Sequence, residues 1–199
     1  MTAKIKLNAA SGGGSASIQA PASSSNDRVY TLPDTAHIST LGGISECDQW
    51  YLTADVTSTQ TIAANLTRNL GQSGTGAAPL GTGMTESSGV FSFPSTGKYM
   101  IIVHARFSIA GTDSCNIATQ LSVDGGSNWI TSAYASDGNN SSGGANRDGA
   151  STSLFFFDVT DVSQRKARFN AGSIGTSSLV RGNATIVQTS FTFIRIGDT

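Results

Sequence analysis

The chain has 199 residues, 13% of them charged, and a formal net charge of −1. That length accommodates one well-filled domain with an appendage but not two large domains. The near-neutral balance, with a pI near 6.0, withholds the basic field that nucleic acid or an anionic membrane surface would need, so neither is an expected partner.

Gly fills 23 positions, and Ser, Thr, Gly and Asn dominate where a helical protein would carry Lys, Glu and Arg, which predicts strands and turns. The first 43 residues read apart from the rest. Lys4-Ile5-Lys6-Leu7-Asn8 alternates like a short strand and is broken by Ser11–Ser15; a second piece runs from Ser15 to Ala20, ending at Pro21. A third, Arg28–Leu32, is closed by Pro33-Asp34. Three such strands with little apolar surface cannot hold together alone, so residues 1–43 are expected to be an extended docking arm. Its candidate contacts are Lys4, Ile5, Lys6, Leu7, Val29, Tyr30 and Leu32.

Residues 44–199 are expected to form an all-β antiparallel sandwich of about eight strands. They are predicted near Gln49–Thr57, Gly89–Phe93, Lys98–Ile109, Asn116–Val123, Trp129–Ala135, Ser153–Asp161, Arg165–Ala171 and Ala184–Ile196. Thr61–Leu70 gives only a weak helical face and is expected to be a short strand or irregular. Ile101–Val103 and Leu154–Phe157 are continuous apolar runs, as when both faces of a strand are covered. Phe155, Phe157, Phe191 and Phe193 are therefore candidates for the core of an oligomer. The Gly-, Ser- and Asn-rich stretches Gly71–Gly83 and Asp137–Gly149 are expected to be exposed loops. Their candidate receptor or partner residues are Gly71, Gly83, Asp137, Asn139, Asn140, Asn146, Arg147 and Asp148.

Little in the sequence suggests chemistry. Cys47 and Cys115 lack metal-type spacing and are expected to be free thiols acting as small buried hydrophobes. His104 follows an apolar run and is expected in a core or interface; with so many serines, a Ser-His-Asp triple would carry no information. Asp158 and Asp161 read as solvated strand ends, and the spacing of a calcium loop is missing. Arg165-Lys166-Ala167-Arg168 is expected to be an edge strand with Arg165 and Ala167 on one face and Lys166 and Arg168 on the other. No cofactor, metal or catalytic site is expected. No stretch approaches the ~20 apolar residues that span a bilayer. The opening residues lack the apolar core of a signal peptide, which predicts a product made in a cytoplasm and soluble until assembled.

Thr85–Ile102, with Gly89, Phe91, Pro94, Gly97 and Tyr99 at characteristic spacing, resembles the signature of the complement globular-head and tumour necrosis factor-like jelly rolls. Ser190–Ile196 looks like the closing aromatic strand of that fold. The physical roles stand apart from the likeness: Pro94 ends a ladder, Gly97 permits positive φ, and Tyr99 brings a large ring with a polar tip. The arm has its own resemblance. Lys4–Ser15, Ala20-Pro21-Ala22 and Thr31-Leu32-Pro33 look like a leader found on virion proteins of marine and cyanobacterial phages, where it precedes interchangeable C-terminal domains. Together the two resemblances imply a non-enzymatic, homotrimeric phage structural protein located in the virion. Its arm would dock to other virion proteins while its head faces outward. Two roles follow as expectations: a tail fibre or tip attaching to a host-surface glycan or protein, or a capsid decoration protein stabilising the shell.

Overall fold

The computed structural model describes residues 4–8, 15–19, 44–70, 78–141 and 144–199. The chain divides into two units, Met1–Thr40 and Leu41–Thr199. In the first, β1 (Lys4–Asn8) and β2 (Ser15–Gln19) pair as an antiparallel hairpin, Lys4 opposite Gln19 and Asn8 opposite Ser15. The predicted third piece, with Val29, Tyr30 and Leu32, lies outside the described residues.

The second unit is an antiparallel β-sandwich of jelly-roll type. Its strands are β3 (Glu46–Leu52), β4 (Gln60–Thr61), β5 (Leu66–Arg68), β6 (Thr85–Ser87), β7 (Val90–Ser92), β8 (Gly97–Ile109), β9 (Ser114–Ser122), β10 (Ile130–Gly138), β11 (Arg147–Val159), β12 (Lys166–Gly172), β13 (Leu179–Val180) and β14 (Ser190–Gly197). One sheet runs β11-β8-β14-β3-β5 with β13 also on β8, and the other runs β10-β9-β12-β7-β6 with β4 also on β12. All pairings are antiparallel. Because β8 is 13 residues long, β14 covers its first half and β13 meets its end at Phe107 and Ser108.

The inner faces meet in an aromatic core. Phe169 of β12 stacks on Phe191 of β14 with centroids 4.1 Å apart, bringing the two sheets into contact. Phe91 meets Phe169 edge-on at 5.6 Å and lies tilted against Phe193 at 5.1 Å. Such pairs add about 0.5–1.5 kcal/mol each beyond area burial. Tyr99 is fully buried, and its hydroxyl donates to the Ser95 carbonyl at 3.1 Å, so the polar tip is satisfied inside the sandwich. Gly97 has φ +143°, the positive value expected of it, and a Cβ there would lie 2.6 Å from the Gly197 carbonyl.

The eight predicted strands are present with shifted ends. Ala184–Ile196 begins too early, because Asn183 Oδ1 accepts from the Thr185 and Ile186 amides and folds those residues into a turn; β14 starts at Ser190. Arg165–Ala171 was expected at an edge, yet β12 lies between β9 and β7. The alternation of its side chains does hold: Ala167 is buried while Lys166 and Arg168 point outward. The expected Asp137–Gly149 loop is shorter, since β10 continues through Gly138 and β11 begins at Arg147.

Candidate functional site

The aromatic residues assigned to an oligomer core belong to the sandwich itself. Phe157, Phe191 and Phe193 are buried within one chain and Phe155 packs against the same cluster. The run Leu154–Phe157 is continuous in sequence but alternates in space, so Leu154 and Phe156 point outward, 49% and 58% exposed. Opposite them on β8 stand Ile102 and Met100, and Met100 in turn faces Ile194 on β14. Directly paired residues share a sheet face, so these five side chains form an apolar patch on the outside of the first sheet, with Leu154 and Phe156 exposed and Met100, Ile102 and Ile194 half-buried among the described residues.

The loop residues fare unevenly. Gly71 lies outside the described residues. Gly83 is buried, with φ +75°, where a Cβ would crowd Pro79 and the Asp48 carboxylate. Asn139 is also buried: its amide donates to the Ile109 and Ala145 carbonyls at 3.0 Å each, and its oxygen accepts from the Ser141 amide at 3.0 Å. It is a brace for the β10–β11 connection, not a contact surface. Asp137 pairs with Arg147, which also donates to the Gly138 carbonyl. Asp148 takes Arg181 at 2.9 Å and Arg106 at 3.6 Å, and these cations lower its pKa, the Arg181 hydrogen bond most. Asn140 and Asn146 are exposed. Lys4, Ile5, Lys6 and Leu7 form β1.

His104 does not lie in the core. It sits exposed on β8 with Nδ1 3.0 Å from Thr152 Oγ1. Cys47 and Cys115 are free thiols, Cys115 buried and Cys47 half-buried. Burial, then Asp113, pushes the Cys115 pKa up to about 11, and burial followed by Asp48 raises that of Cys47. Such thiols carry little of the thiolate that nucleophilic chemistry needs. Asp158 pairs with Lys98 at 3.1 Å, and Asp161 accepts from Ser163. Among the described residues no three His, Cys, Asp or Glu side chains cluster as metal ligands, and no helix is long and apolar enough to cross a membrane.

One constellation escaped the sequence reading. In the turn from β9 to β10, Ser122 Oγ donates to Asp124 Oδ1 at 2.7 Å and accepts from the Gly126 amide at 2.9 Å. Asp124 accepts from the Asn128 amide at 2.9 Å and its side chain at 2.7 Å. Gly125 and Gly126 supply φ of +75° and +98°. The turn delivers Trp129 onto the outside of the second sheet, where the Arg168 guanidinium lies 4.2 Å from the ring centroid. The spacing Ser122-x-Asp124-x-Gly126-x-x-Trp129 was the available signal.

No family model matches the chain, and no curated protein sequence matches it. The likeness is to solved structures. Murine APRIL at pH 5.0 superposes with a TM-score of 0.55 at 9% identity, over 75% of this chain and 98% of that one. At pH 8.0 the TM-score is 0.50 at 8% identity, with the same coverage. Eiger TNF from S. frugiperda gives 0.47 at 13% identity, over 79% and 90% of the two chains. The APRIL superposition at a TM-score of 0.55 shows the fold alone, the tumour necrosis factor-like jelly roll expected from Gly89–Tyr99.

Proposed function

We propose that this protein is a homotrimeric structural subunit of a bacteriophage particle. Residues 1–43 dock it to other virion proteins, and the jelly-roll head attaches to the host surface. The observation that carries the assembly is the outward apolar patch of Leu154, Phe156, Met100, Ile102 and Ile194, which a second copy would cover. The fold likeness supports a threefold arrangement, and the leader-like arm supports the phage setting and a head that faces away from the particle. Decoration of the capsid, with the same trimer clamped to the shell, is the second reading.

Light scattering on the full chain should give three times the chain mass; a stable monomer at micromolar concentration removes the trimer. Saturating soluble protein should then compete with whole particles for adsorption. Unchanged adsorption, with particles lacking the protein still attaching but bursting more readily on heating, would replace attachment with decoration.

A further inference from the structure

We propose that the outward face of the second sheet is a binding site for an acidic saccharide, held by Arg168 and Lys166 and stacked on Tyr134. The inference deepens the attachment reading and rests on it for biological meaning, though the binding itself can be measured alone. The face is defined by register. Gln120 stands opposite Arg168, Ala118 lies between Tyr134 and Asn170, and Ser122 pairs with Lys166. Tyr134, Gln120, Arg168, Asn170 and Lys166 therefore reach the surface on this face of β10, β9 and β12, while Ala118 and Ser122 are buried beneath it.

Three observations point to the ligand. The first is charge. Lys166 and Arg168 project from this face, and neither makes an ion pair with any described residue. Their partners are neutral: Lys166 donates to Ser92 Oγ at 2.9 Å and to the Val162 carbonyl at 3.0 Å, and Arg168 Nε donates to Gln120 Oε1 at 2.7 Å. Among the described residues only Nε of Arg168 is hydrogen-bonded, which leaves the two Nη groups to meet a carboxylate as a fork. Partial burial lowers the Arg168 pKa, the mark of a cation that has lost water without gaining an anion.

The second observation is preorganisation. The Trp129 ring against the guanidinium and the hydrogen bond from Nε to Gln120 fix it, so little side-chain entropy remains to be lost on binding. The third is the aromatic platform. Tyr134 is 59% exposed beside the small Ala118, so its ring lies on the same rung as Asn170, with Arg168 on the next rung of β12 and Lys166 on the one beyond, at the far end of the face. Sugars present C–H faces to aromatic rings and hydroxyls to amides, and a few convergent polar groups beside an aromatic surface are what such recognition needs. Two cations are too few for a nucleic-acid backbone. The polar amides and lysine are unlike the apolar centre of a subunit contact, which the other sheet supplies instead.

The test is a fluorescence-anisotropy titration of the full-length protein with labelled hexagalacturonate, a sialic acid hexamer and neutral maltohexaose. At least one acidic oligomer should bind saturably, ten times or more tighter than maltohexaose. Arg168→Gln and Tyr134→Ala should each weaken it tenfold or more. Lys166→Gln, which leaves the Trp129 stack intact, should weaken it severalfold, and Arg106→Gln on the opposite sheet should leave it unchanged. Near-UV circular dichroism verifies that each variant is folded. Absence of binding by both acidic oligomers to millimolar concentration, equal binding of maltohexaose, or full affinity in folded Arg168→Gln and Lys166→Gln overturns the proposal. If Arg168→Gln still competes fully for particle adsorption, the saccharide face fails while attachment stands. If wild type binds the oligomer yet never competes, attachment fails while the face stands.

Discussion

Replacing Asp48 by Ala should cost the head domain about 3 kcal/mol. The Asp48 side chain is 3% exposed, yet it serves three donors: the Met84 amide at 2.8 Å, Trp50 Nε1 at 2.9 Å and Arg68 Nε at 3.1 Å. Arg68 also donates to the Met84 carbonyl and lies 4.9 Å from the Trp50 ring centroid, so one carboxylate ties β3 to β5 and to the segment entering β6. Without it the buried Met84 amide is left unpaired, worth roughly 1–3 kcal/mol, and the partly buried indole N–H adds about 1 kcal/mol. Arg68 is 29% exposed and can regain water, so its Coulombic part adds little. For a domain of this size the loss corresponds to a fall of about 6–12 °C in Tm. Asp48→Asn keeps one acceptor oxygen and should lose about half as much. Arg68→Met strands the carboxylate, and the double variant Asp48→Ala/Arg68→Met should lose less than the sum of its parts. Urea unfolding at one fixed protein concentration measures all four, because association would otherwise shift the midpoint. An Asp48→Ala loss below about 1 kcal/mol, or strict additivity in the double variant, would refute the reasoning.

The fold was legible where period-two patterning is long. In β12 the alternation marks both the strand and its buried side, and Gly97 and Tyr99 behave as their chemistry requires; in β8 the pattern marks the strand, but the run Ile101–Val103, read as covered on both faces, leaves Ile102 half-buried on the outer one. The strands β4, β6 and β13 have only two or three residues, polar in β4 and β6 and a bare Leu-Val pair in β13, and their pairing is decided by neighbours distant in sequence, so no local pattern reveals them. The sites were harder to read because burial of a short polar residue depends on tertiary partners. Asn139 carries the same side chain as exposed Asn140, and it is the Ile109 and Ala145 carbonyls and the Ser141 amide that hold it inside. The run Leu154–Phe157 misled in the opposite sense. Four apolar residues in a row suggested cover on both faces, but the pleat sends Phe157 into the core and leaves Phe156 outside.

Gly89→Ala should cost more than about 2 kcal/mol, since φ is +82° and the new Cβ would lie 2.2 Å from the Ile62 carbonyl oxygen. Gly197→Ala, whose new Cβ would meet none of the described residues beyond its chain neighbours within 4 Å, should stay within about 0.5 kcal/mol in the same urea titration. Hydrogen bonds from the Asn128 amide and side chain, then from Ser122, hold the Asp124 pKa down to about 2. A carboxyl depressed in the folded state stabilises fully above its unfolded value and loses that contribution as pH falls through the folded one. Tm should therefore drop between about pH 4 and pH 2, with a shallower slope in Asp124→Asn; a carboxyl-carbon NMR midpoint near 4 would contradict this. The alternation on β11 makes the sharpest contrast. Phe157→Ala opens a cavity in the core and should cost about 3–4 kcal/mol, while leaving the concentration dependence that the proposed trimer gives the urea midpoint, because it does not touch the outward patch. Phe156→Ser removes only an outward ring, so folding should survive, but the concentration dependence should vanish and light scattering should fall to one chain mass. If Phe156→Ser remains trimeric with an unchanged dissociation constant, the outer face of β11 is not where copies of this chain meet.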